Sequence, residues 1–138
     1  MNARLALGLS ILLLASAVSA HDDATLDRMP SPRGGQVRMA GPFHFELVVE
    51  PERVILHFMD HANQSIPTAD ARATAKITTT SGSQTIDLFA ISESALGAEA
   101  TVEPLAGAKL EVTVSVPGQR PWTVTFTPTK AAPSSPSK

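Results

Sequence analysis

Hydrophobic and polar residues alternate with period two through much of residues 42–127, the pattern of half-buried strands. Pro42 to Glu50 puts Phe43, Phe45, Leu47 and Val49 on one face and His44, Glu46, Val48 and Glu50 on the other. Arg53 to Asp60 puts Val54, Leu56 and Phe58 on one face and Ile55, His57 and Met59 on the other. Pro51-Glu52 between them reads as a turn, so the two runs form a hairpin. Further strands are expected over 73–78, 83–89, a short run near 98–102, 109–116 and 122–127, with turns at Ser81-Gly82 and Pro117-Gly118. Ser92–Leu96 has room for one helical turn at most. About seven short strands with a turn signal roughly every ten residues are the signature of a β-sandwich or a small barrel. The expected fold is all-β: a single small β-sandwich, Ig-like, over residues 34–127.

The ends read differently. Residues 1–20 carry Arg4, an apolar run from Leu5 to Val18, and small side chains at Val18 and Ala20. This is the plan of a cleaved signal peptide, with the mature chain starting at His21. The run is too short to span a bilayer comfortably. Residues 21–33 mix charges with two prolines and show no period, as expected of a flexible N-terminal arm. Residues 128–138 are rich in Pro, Ser, Ala and Lys and read as a disordered tail.

Composition narrows the chemistry. The chain has 138 residues, enough for one domain of modest size. The absence of cysteine removes disulfides, thiolate zinc sites, iron–sulfur clusters and cysteine nucleophiles. Export without disulfides fits a bacterial periplasm. With 11 Lys+Arg against 13 Asp+Glu there is no basic excess to grip nucleic acid. Five Phe, one Trp and no Tyr leave little for base stacking. No Gly-x-Ser-x-Gly elbow and no glycine-rich phosphate loop is present. The pairs Asp22/Asp23 and Glu50/Glu52 fall in an arm and a turn, where nothing holds catalytic geometry. The chain is therefore not expected to be an enzyme.

What remains is metal-capable. If Glu50 pairs with Arg53, then Phe45 faces Phe58, Leu47 faces Leu56 and Val49 faces Val54 in one apolar face. A one-residue slip would set apolar residues against polar ones, so it is disfavoured. On the opposite face Glu46 meets His57 and His44 meets Met59. A two-residue slip would bring His44 toward His61 instead. Along the second strand His57, Met59 and His61 fall at i, i+2 and i+4, about 6.6 Å apart, if that strand continues. Imidazole with thioether and no cysteine points first to copper, and Met39 on the preceding strand could add a second sulfur. Zinc or nickel are the alternatives. The candidate metal ligands are thus His44, Glu46, His57, Met59 and His61. The plainer alternative is an ordinary Glu46–His57 cross-strand pair with Met59 as core filler. His21, as a free amino terminus, offers a second chelating unit, although nothing local fixes the arm in place.

Arg33-Gly34-Gly35, Gly41-Pro42-Phe43-His44-Phe45-Glu46-Leu47-Val48 and Ile55-Leu56-His57-Phe58-Met59-Asp60-His61-Ala62 resemble small periplasmic proteins of bacterial heavy-metal resistance clusters. The module is similar to a domain at the front of some metal-efflux membrane fusion (adaptor) proteins. The matching positions are Gly34, Gly35, Glu46, Asp60 and His61, and Arg33 stands where the pattern has His. The resemblance spans about residues 33 to 127 and implies metal handling near an efflux pump. The leading expectation is a periplasmic accessory protein that binds a transition metal and buffers it or passes it to an efflux system. The alternative is an Ig-like interaction module that docks on an efflux adaptor or other envelope protein without binding metal.

Overall fold

The structure, a computed structural model, describes residues 23–129. The expected signal peptide, His21 and residues 130–138 of the expected tail lie outside the described residues. Among the described residues no helix is long and apolar enough to cross a membrane.

One helix, α1 (Asp23–Arg28), precedes eight strands. These are β1 (Gln36–Ala40), β2 (Phe43–Glu50), β3 (Arg53–Met59), β4 (Arg72–Thr79), β5 (Gly82–Ser92), β6 (Ala95–Glu99), β7 (Lys109–Ser115) and β8 (Trp122–Phe126). All pairings are antiparallel, in the order β1-β2-β3-β6-β5-β4-β7-β8. The β2–β3 hairpin has the expected register, with Glu50 opposite Arg53, Phe45 opposite Phe58 and Leu47 opposite Leu56. That register puts every large apolar side chain of the two strands' common face into the core.

The fold is all-β, as expected, but its eight strands form one continuous sheet where two packed sheets were expected. The extra strand is β1. The joint is β5, eleven residues long. Its first part pairs with β4 and its last part with β6, with a register shift between Ala90 and Ser92. Such an irregularity bends a strand and raises its twist. The sheet therefore curls around a single core shared by Phe45, Leu56, Leu88, Leu110, Val112 and Phe126. Its first and last strands come near each other. The Gln36 amide bridges them, accepting from the Thr127 backbone N–H at 2.7 Å and donating to the Thr127 carbonyl at 3.4 Å. The Trp122 ring lies against Gly41. The molecule is nearly a barrel, closed at this seam by side chains.

Three local expectations change. The residues read as a flexible arm include α1, whose Leu26 is buried against Val37 and Met59. Ser92–Leu96 is a strand end and hairpin turn, and the short strand near 98–102 lies earlier, at Ala95–Glu99. Pro128, placed in the tail, is buried.

Candidate functional site

Strand β2 is buried at all eight positions, so both faces of the sheet are covered there. The inner face meets the core. On the outer face the register aligns cross-strand rows: Met39, His44 and Met59; then Val37, Glu46, His57 and Ala95; then Val48, Ile55 and Gly97. The helix covers part of this face through Leu26. It is tied to β1 by Arg38, whose Nη1 lies 2.8 Å from Asp27 Oδ1 and whose Nε lies 3.5 Å from Asp23 Oδ1. The 31–35 segment and the 60–65 turn supply the remaining polar contacts described below.

Glu46 is fully buried and its carboxylate is saturated. Oε1 accepts from the backbone N–H of Arg33 at 2.8 Å and of Gly35 at 3.1 Å. Oε2 pairs with Arg33 Nη1 at 3.3 Å. Gly34 has φ 75°, which turns the chain so that the N–H groups on either side of it converge on one oxygen. This is a backbone anion nest. At Gly35 a Cβ would stand 2.3 Å from the Leu47 carbonyl oxygen, so only glycine brings the nest this close to β2. The Arg33 side chain continues across the face. Nη1 donates to Met59 Sδ at 3.6 Å and Nη2 to Ser65 Oγ at 3.0 Å. Arg33 thus fills part of the face with a cation.

The second half of the site is set by Asp60. Its Oδ1 accepts from the backbone N–H of Ala62 at 2.8 Å and of Gln64 at 2.9 Å, which winds residues 60–64 into a tight turn. Asn63 in that turn has φ 59°, a left-handed conformation that asparagine tolerates. Its Oδ1 lies 3.0 Å from His44 Nδ1. An amide oxygen can only accept, so Nδ1 carries a hydrogen, and in the neutral ring that tautomer puts the lone pair on Nε2. His44 is 2% exposed, and among the described residues Nε2 has no hydrogen-bond partner. The His61 ring stacks on His44 at 4.8 Å, while its Nε2 lies 3.2 Å from the Gly41 carbonyl oxygen.

The five expected ligands are therefore distributed unevenly. His44, Met59 and His61 gather at one end. His61 arrives there through the turn, because β3 ends at Met59 and the in-line arrangement with His57 does not form. Glu46 faces His57 across the strands, yet its oxygens are held by Arg33 and Gly35. His57 is half-buried. Burial first, and the Arg33 guanidinium second, push its pKa down from 6.5 to about 4, against smaller upward pulls from Glu46 and Glu50. It is a neutral imidazole at any ordinary pH. Among the described residues no three His, Asp or Glu side chains form a group able to hold a metal ion. Sequence reasoning missed Asn63 and Ser65. The run Asp60-His61-Ala62-Asn63 carried the signal for the former, since Asp and Asn are the residues of such turns.

No family model, no curated protein and no solved structure matches this chain.

Proposed function

We propose that the protein is a periplasmic accessory protein that binds a transition metal, copper first, on the outer face of β1–β2–β3, and buffers it or delivers it to an efflux system. The observation that carries this reading is His44. A buried imidazole nitrogen with a free lone pair costs about 1–3 kcal/mol if nothing ever pairs with it. A metal ion is the partner that a neutral imidazole beside thioether sulfur suits best. The compartment rests on the signal-like residues 1–20 and the absence of cysteine. The resemblance of the Arg33-Gly34-Gly35 and Asp60-His61 segments to metal-resistance proteins points the same way.

A second reading has its own observation. Phe89 and Ile91 on β5 are 56% and 50% exposed, and exposed apolar side chains next to each other on a strand favour a docking module. This is the Ig-like interaction role, in which no metal is bound. Native mass spectrometry separates the two. The protein is offered Cu(I) under reductant, then Cu(II), Zn(II) and Ni(II). One ion held per chain supports the metal reading. No stoichiometric uptake of any of the four removes it and leaves docking.

A further inference from the structure

We infer that the row Met39–His44–Met59 is a two-sulfur, one-nitrogen corner that takes a single soft monovalent cation, Cu(I), and refuses divalent ions. The inference rests on the metal-binding reading above and narrows it to three ligands and one charge state. Strands β1, β2 and β3 set the three residues directly opposite one another, Met39 to His44 and His44 to Met59, on the same face. Such neighbours stand about 5 Å apart at Cβ, within reach of one ion. Asn63 holds the His44 ring by Nδ1, so the ring is oriented and its Nε2 lone pair is the unused one. That is the support a ligating histidine needs.

Charge selects the ion. Of the carboxylates around the corner, Glu46 is paired with Arg33 and Asp60 accepts from the backbone N–H groups of Ala62 and Gln64, while Arg33 Nη1 lies 3.6 Å from the Met59 sulfur. The corner thus offers uncharged donors beside a fixed positive charge. A dication there would meet twice the repulsion from Arg33 that a monocation meets. Zinc takes thiolate, imidazole and carboxylate ligands, whereas thioether sulfur suits Cu(I). Nor do the described residues supply the three His or carboxylate groups that a harder ion requires. Access is from the rim, where Met39 is only partly buried and His61 is exposed.

The test uses protein expressed from the full-length sequence, kept anaerobic. It is titrated with Cu(I) against a chromophoric Cu(I) chelator, and with Zn(II) separately. Met39→Leu and Met59→Leu conserve volume and keep the packing, and a thermal melt checks that His44→Gln is folded. The expected result is one Cu(I) per chain, with affinity lowered at least about tenfold by Met39→Leu, Met59→Leu or His44→Gln. His57→Gln should stay within about twofold of the parent, and Zn(II) should not displace Cu(I). Cu(I) binding that survives Met39→Leu and His44→Gln but is lost in His57→Gln or His61→Gln overturns the corner while leaving the metal reading intact. Zn(II) bound as tightly as Cu(I) overturns the charge selection. No ion bound by the parent protein overturns both.

Discussion

The two halves of the sheet treat their outer faces in opposite ways. On β4 and β7 buried and solvated residues alternate, with Ala73, Ala75, Leu110 and Val112 inside and Arg72, Thr74, Lys76 and Thr113 outside. None of the described residues buries Arg72, Thr74, Lys76 or Thr113, and these polar groups cost nothing because water solvates them. On β2 the outer face is just as polar, yet His44, Glu46 and Glu50 are all buried. A polar face is expensive to bury. The glycine nest supplies partners for Glu46, the Asx-type turn for His44 and Arg53 for Glu50, while Leu26 of the helix packs beside them on Val37 and Met59. The difference sets the β1–β2–β3 face, where the proposed site lies, apart from the other half of the sheet.

The comparison can be broken at its dearest contact. Glu46→Ala removes the carboxylate but leaves the Arg33 guanidinium and two backbone N–H groups facing a cavity. Urea unfolding should show a loss of about 3–5 kcal/mol. Gly35→Ala forces a methyl against the Leu47 carbonyl and lifts the nest off β2, for about 2–3 kcal/mol in the same assay. A smaller effect is acid sensitivity. Because the folded state holds His57 near 4 while the unfolded chain titrates near 6.5, the unfolded state binds the extra proton between those values. Stability is then complete above pH 6.5 and declines as the pH falls toward 4, by about 2 kcal/mol once partial exposure is allowed for. His57→Gln should flatten that slope in a pH series of melts. At the foot of the scale, Thr113→Ala on the bare face should change stability by less than about 0.5 kcal/mol. A loss there as large as that of Gly35→Ala would erase the contrast between the faces.

The hairpin was legible in advance because its signal is local. Period-two patterning and one proline turn exclude the one-residue slip, and of the registers that keep the faces the one pairing Glu50 with Arg53, and so Phe45 with Phe58, is found. The single curled sheet was not legible. It depends on β5 serving two partners at once, and nothing in a strand's own alternation says how many neighbours it has. The site was half legible. His44 and Met59 were placed on one face, because cross-strand pairing is a matter of arithmetic. The engagement of Glu46 by Arg33 was missed, because Arg33 reaches the face from outside the sheet through a long side chain. Whether His61 would line up with His57 was left to where β3 ends, and that end is decided by the Asp60 turn.

The central claim, that the buried outer face exists to hold a soft ion at His44, is tested most directly by ¹⁵N NMR of the histidine rings during titration with Ag(I), a diamagnetic stand-in for Cu(I). The account predicts that the His44 Nε2 resonance moves and saturates at one equivalent, together with the Met39 and Met59 methyl signals, while the His57 ring keeps its shifts. Ring shifts confined to His57, or an unmoved His44 Nε2 at excess Ag(I), would contradict it.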